Sequence, residues 1–182
     1  IGIVGLGLIG GSLAKAISQN TDNTVYGFDI SKPVVHKAML VNAIEQPLTD
    51  ELLSQCDIVI VALYPQDTVD YVTSHADLFK KGSIVCDCSG VKRMVCEQLI
   101  PLAEEKGFLF VGGHPMAGNQ YSGFKYADKD LYRGAPMVIV PSDFNNIVLL
   151  SKVKELLAPA GFGQISVTTA EKHDEMIAFT SQ

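Results

Sequence analysis

With 182 residues, 47% of them hydrophobic, the chain can bury a core of its own and is sized for one domain or slightly more. A formal net charge of −6, with no basic run longer than a pair such as Lys92-Arg93, argues against nucleic acid or an anionic membrane surface as the main partner. No apolar run approaches the ~20 residues of a membrane span, and the four cysteines (Cys56, Cys86, Cys88, Cys96) show no CxxC and no metal-like spacing, which reads as reduced structural thiols and no metal site.

In chain order, residues 1–4 form a short strand-like run with no methionine before it, so the chain reads as trimmed ahead of its first strand. Glycines follow, then helical spacing over 12–18. Residues 24–29 (TVYGFD) are a second strand, and 32–41 a helix with Pro33 in its first turn, where proline is tolerated. The run DIVIVAL, 57–63, is apolar and β-branched, as in a strand buried on both faces. A helix over 65–79, a strand over 83–87, a helix over 91–106 closed by Gly107 and a strand over 108–112 come next. Residues 136–140, 145–158 and 163–167 read as strand, helix and strand, and Ala170 onward as a helix. This alternation predicts an α/β chain: a doubly wound, mostly parallel sheet with helices on both faces.

The first motif is Gly5-Leu6-Gly7-Leu8-Ile9-Gly10-Gly11-Ser12, a GxGxxG that follows a strand and opens a helix. In that context the first glycine allows a tight turn, the second admits a pyrophosphate and the third lets helix and strand pack closely. The helix N-terminus offers N–H groups and partial positive charge to the phosphates. Asp29 ends the second strand, where a carboxylate binds the adenine ribose hydroxyls and repels a 2′-phosphate, so NAD is favoured over NADP, with Lys32 nearby softening the preference. The Rossmann-like reading makes Gly5, Gly7, Leu8, Ile9, Gly10, Asp29 and Leu63 the expected cofactor contacts.

The second motif is GGHPMAGNQYSGF, 112–124. His114 falls just past a predicted strand, at the edge where doubly wound sheets place their ligands. A neutral imidazole there can take a proton near physiological pH, and the flanking glycines would let a ligand approach the backbone. His36 and His75 lie in mixed-polarity helical segments and read as solvated. His173 has a claim to the site only if the last helix turns back toward the cleft.

GLGLIGGSLA, the Asp87…Val91-Lys92 stretch and HPMAG with Ser122-Gly123 together resemble the prephenate dehydrogenase family, its arogenate-using members included, across essentially the whole chain. The resemblance implies oxidative decarboxylation in tyrosine biosynthesis: prephenate and NAD give 4-hydroxyphenylpyruvate, CO2 and NADH. It assigns His114 to the substrate ring hydroxyl, as hydrogen-bond partner and proton acceptor, and Asn119, Gln120 and Ser122 to substrate binding. Relatives commonly carry a catalytic-site serine two places before the lysine matching Lys92, where it helps orient the substrate hydroxyl and the histidine. Here that place is Gly90, so Ser89, one residue earlier, is the candidate for the serine's role. Gln120 stands where the family often has glutamate, which removes any control by that group's titration. The resemblance makes 1–169 the NAD-binding domain and 170–182 the start of a helix leading to an absent helical domain for dimerisation and substrate binding. On that reading the protein is cytoplasmic and homodimeric when whole, and this portion alone is inactive. Readings that keep the fold but change the function are an arogenate dehydrogenase, a β-hydroxyacid-type dehydrogenase or an NAD-binding module without catalysis.

Overall fold

Strand β1, Gly2–Val4, runs through the glycine turn into helix α1, Leu8–Asn20. The chain continues as β2 (Tyr26–Phe28), α2 (Lys32–Leu40), β3 (Gln46–Pro47) and α3 (Asp50–Leu53). The central units follow as β4 (Ile58–Val61), α4 (Pro65–Ser74), β5 (Ile84–Asp87) and α5 (Arg93–Lys106). Then come β6 (Leu109–Pro115), β7 (Pro136–Pro141), α6 (Ile147–Leu157), β8 (Gln164–Val167) and α7 (Ala170–Thr180). The computed structural model describes residues 1–118 and 120–180. Among them one sheet runs β3-β2-β1-β4-β5-β6-β7-β8. Neighbours are parallel except β6 and β7, which are antiparallel with His114 opposite Val138.

The doubly wound, mostly parallel sheet expected from the alternation is the one observed. Its central strands are apolar on both faces because helices cover both. Val4, Val59, Val61 and Val85 face a layer that includes Val69, Val72, Val95 and Leu99. Their strand neighbours Ile3 and Ile60 face the opposite way, with Leu13, Ile17, Val35 and Ala38. Each such valine, leucine or isoleucine side chain, taken from water, contributes about 1.5–3 kcal/mol.

Three differences from the sequence reading have identifiable causes. Helix α1 starts at Leu8, not near residue 12, and takes Gly10 and Gly11 into its first turns. A Cβ on Gly11 would stand 2.7 Å from the Phe124 ring, so this glycine lets a later segment seat on the helix. Helix α4 stops at Ser74, short of residue 79. There the Ser74 hydroxyl and the His75 ring both bond the carbonyl of Tyr71, at 3.0 and 2.8 Å, competing with the helical ladder. Strand β6 extends to Pro115, so His114 belongs to the sheet and not to a loop beyond it. Antiparallel pairing with β7 keeps it extended.

Between β6 and β7 the chain crosses to α1 through a 3-10 turn at Phe124–Tyr126. Lys15 Nζ donates to the Ala127 carbonyl at 2.6 Å, and the Asp128 N–H donates to Ser12 Oγ at 2.9 Å. The fully buried Tyr132 donates its hydroxyl to the carbonyl of Ile9 at 2.8 Å. This strap turns the chain so that β7 returns antiparallel.

Candidate functional site

A cleft of about 1060 Å³ opens at the carboxyl ends of the parallel strands, with Gly5, Gly7, Asp29, Leu63, Ser89 and Gly90 among its lining residues. Helix α1 points its N-terminus there. Its cap residue is Gly7, no side chain caps it and no acid lies in its first turn. The leading N–H groups of a helix have no intrahelical acceptor, so they face the cleft as anion donors. Leu8 and Ile9, the first residues of the helix, also line the cleft.

The three motif glycines do different work. Gly5 has φ +87, and a Cβ on it would stand 2.5 Å from the Ala62 carbonyl oxygen and 2.8 Å from the Leu63 side chain. A Cβ on Gly10 would stand 1.9 Å from the carbonyl oxygen of Gly5. At Gly7 nothing lies within 4 Å. Two glycines therefore serve the turn's own packing, and the third leaves open space above the helix end. Asp29 follows β2, half-buried, its Oδ2 accepting from Leu6 N–H and its Oδ1 from Ser31 N–H, each at 2.9 Å. Asp67 and Asp70 add carboxylates along the same cleft, whose described lining includes no lysine or arginine. This donor set suits a dinucleotide: N–H groups for a diphosphate, carboxylates for ribose hydroxyls, and no cation for an additional phosphate.

Beside the inner end of the cleft lies a buried polar cluster. Asp87, the last residue of β5, is fully buried, as is the Lys92 ammonium paired with it. Asp87 Oδ1 also accepts the Gly113 N–H at 2.9 Å, tying the strand that carries His114 to this ion pair. The Ser89 hydroxyl bonds Asp87, the Val91 carbonyl at 3.1 Å and Lys92 Nζ at 3.1 Å. His114 Nδ1 lies 2.8 Å from His173 Nε2, and His173 Nδ1 lies 2.7 Å from Asp174 Oδ1. Asp174 in turn accepts the N–H groups of Lys92 and Arg93 at 2.8 and 2.9 Å. Burial, the neighbouring His173 and the Lys92 charge push His114 down to about 4, so its ring is neutral at physiological pH.

The sequence candidates are distributed unevenly over this geometry. The cofactor candidates Gly5, Gly7, Leu8, Ile9, Asp29 and Leu63 line one cleft, with Gly10 beneath it. Ser89 is not turned to His114: among the described residues its hydroxyl bonds only the Asp87–Lys92 pair and the chain beside it. The residue facing His114 Nε2 is Gly90, where a Cβ would stand 3.9 Å away. The one-residue offset is therefore not absorbed by the loop. Ser122 lines the cleft, whereas exposed Gln120 donates to the Tyr121 hydroxyl at 3.0 Å. Asn119 lies outside the described residues. His36 is exposed, while His75 is partly buried and stacks on Tyr71 with ring centroids 4.1 Å apart. His173 is fully buried against His114, because α7 does turn back beneath the site. Sequence reasoning missed Asp87, Lys92 and Asp174 as site residues. The available signal was an acid closing a strand and a lysine before a helix, both spaced to meet. The cysteines are free thiols, and burial pushes Cys86 and Cys96 up to about 12.

Residues 13–165 match the family model for the nucleotide-binding domain of prephenate dehydrogenase. The chain is 28% identical over 188 residues to the cyclohexadienyl dehydrogenase of Zymomonas mobilis subsp. mobilis, an alignment spanning 100% of this chain and 62% of that protein. The crystal structure of Synechocystis arogenate dehydrogenase superposes with a TM-score of 0.90 at 27% identity, over 99% of this chain and 63% of that one. Prephenate dehydrogenase from A. aeolicus, in complex with hydroxyphenyl propionate and NAD+, gives 0.84 at 25%, over 96% and 61%. The chain thus spans about three-fifths of the length of these relatives.

Proposed function

Because the chain belongs to the prephenate dehydrogenase family, as its nucleotide-binding domain, we propose that it is the NAD-binding part of an enzyme that oxidatively decarboxylates prephenate to 4-hydroxyphenylpyruvate in tyrosine biosynthesis. The observation that carries this reading is a neutral His114 whose Nε2 faces Gly90, a lining residue of the cleft that also holds the uncapped end of α1. NAD, when bound, supplies the acceptor for the hydride that leaves the ring carbon of the substrate.

The chain's own residues perform the rest. The N–H groups at the start of α1 hold the diphosphate, with Gly7 giving it room, and Asp29 receives the ribose hydroxyls. His114 Nε2 accepts the proton of the substrate's ring hydroxyl as that carbon becomes a carbonyl, and loss of CO2 then makes the ring aromatic. Ser122, which lines the cleft, is available to hydrogen-bond the substrate, and Asn119 and Gln120 are the further substrate-binding candidates. Ser89 acts from below, by holding the loop that presents Gly90. The helix from Ala170 leads into a second, helical domain that completes the substrate site and forms a homodimer. The whole protein is placed in the cytoplasm as a biosynthetic enzyme. No helix among the described residues is long and apolar enough to cross a membrane.

A second reading, arogenate as substrate, is favoured by the high structural similarity to an arogenate dehydrogenase. NADH formation by the full-length protein, offered prephenate and arogenate in parallel with NAD, decides between them. Silence with both would sink the enzyme assignment. The cradle has its own test. Gly7→Ala adds a methyl that meets nothing in the protein, so the melting temperature should hold. NAD affinity should fall about tenfold or more, because the methyl enters the space assigned to the diphosphate. Unchanged affinity, measured by calorimetric titration, would place the diphosphate elsewhere.

A further inference from the structure

His114, His173 and Asp174 stand in line, and their hydrogen bonds can be satisfied in only one neutral arrangement. Asp174 is the fixed end. Its Oδ1 accepts from Lys92 N–H at 2.8 Å and its Oδ2 from Arg93 N–H at 2.9 Å. Burial works to raise its pKa, but the hydrogen bonds from His173 and from the Arg93 and Lys92 amides outweigh burial and hold it below the ordinary carboxylate range. An ionised carboxylate only accepts, so His173 Nδ1, 2.7 Å away, carries a hydrogen and donates it. When that is the one hydrogen on the His173 ring, its other nitrogen, Nε2, presents a lone pair. It lies 2.8 Å from His114 Nδ1, which must therefore be the donor. What remains on His114 is a bare Nε2, on the side facing Gly90 and the cleft.

We propose that His173 and Asp174 are positioning residues that fix the tautomer of His114, leaving Nε2 as the acceptor for the substrate hydroxyl. The substrate half of this statement rests on the function proposed above; the tautomer itself does not. The charged and titratable groups facing His114 are His173 and Asp174 from α7, Lys92 at the head of α5 and Asp87 from β5. Lys92 and Asp87 are paired with each other. No carboxylate is hydrogen-bonded to His114 itself among the described residues, so His173 alone decides which ring nitrogen holds the hydrogen. His173 is fully buried, and its backbone N–H is bound to the Thr169 carbonyl at 3.0 Å, so the decision is locked into the first turn of α7. The same helix is the one assigned above to lead into the second domain. Its register on α5 thereby becomes a condition for a competent base.

The test uses the full-length protein and two substitutions. In His173→Gln the amide can still accept from His114 Nδ1–H through its oxygen and donate to Asp174 through its nitrogen. In His173→Leu both bonds are lost at similar volume. Turnover should fall on the order of 100-fold in the leucine variant, as when a base loses the group that orders its tautomer. KM and NAD affinity should be unchanged, and the glutamine variant should recover most of the rate. Nitrogen-15 spectra of histidine-labelled wild type near neutral pH should show His114 protonated on Nδ1 and bare on Nε2, with a mixture of tautomers in the leucine variant. A wild-type spectrum with the hydrogen on Nε2, or equal losses in the two variants, would overturn the proposal. If the wild type oxidises neither prephenate nor arogenate, the function falls while the spectrum still decides the tautomer. If neither variant folds, the wild-type spectrum alone decides it.

Discussion

Replacing His114 with asparagine in the full-length protein should lower kcat by about 10²–10⁴-fold, the usual range for a lost general base, while NAD binding stays intact. The side chain is partly buried and its nearest polar partner is His173, so asparagine, with its amide set to donate, can keep that bond while offering nothing with useful basicity to the substrate. NADH formation measured across pH sharpens the test. His114 is held near 4 by burial, His173 and Lys92, against an ordinary 6.5. It therefore remains a neutral base well below the pH at which a free imidazole would be protonated. The acid limb that it contributes to kcat/KM lies near 4. Stability follows the same numbers with a definite sign. Below about 6.5 the unfolded chain binds a proton that the folded chain refuses until about 4, so stability is complete above that window and is lost as pH falls through it. The asparagine variant should lack this component of acid destabilisation. A variant with near wild-type turnover would remove His114 from the chemistry.

Lys92→Met should be the most destabilising single change at the site. Both partners of the Lys92–Asp87 pair are fully buried, and the methionine would leave the Asp87 carboxylate in the core with only neutral donors around it. Breaking a buried pair from one side costs about 3–5 kcal/mol. For a chain of this length that lowers the melting temperature on the order of 10 °C. Adding Asp87→Asn to Lys92→Met should recover much of the loss, because the uncompensated charge is gone while an acceptor for the Gly113 N–H remains. Thermal unfolding followed by circular dichroism reads both variants. A single variant melting within a degree or two of wild type would mean that Asp87 takes up a proton at little cost.

The nucleotide cradle was legible in the sequence because its physics is local. A turn with φ +87 at Gly5 and a carbonyl 1.9 Å from any Cβ on Gly10 admit only glycine, and those constraints are written into adjacent residues. Asp29 was legible for the same reason, since it closes the next strand and bonds the turn directly. His114 was legible as a residue but not as a conformation. Its glycine-rich surroundings read as a loop, whereas the backbone is held straight by β7, whose pairing with β6 no local pattern announces. Lys92 was illegible as a site residue because a lysine before a helix is ordinarily solvated. Only the fold puts Asp87 against it and seals both from water. The same holds for Asp174, and His173 was legible only on the condition that the last helix turns back, because their partners lie more than fifty residues earlier in sequence. Ser89 was legible as a candidate by its offset from the family serine, but its direction was not: its hydroxyl bonds the buried Asp87–Lys92 pair.

The strap between β6 and β7 has a mechanical consequence. It is riveted to α1 at Ile9, Ser12 and Lys15, and it runs straight into the strand whose Val138 pairs with His114. His114 and the first turns of α1 are thereby tied to one connecting segment. Moving α1 against β7 would therefore have to break hydrogen bonds at three separate points of the strap.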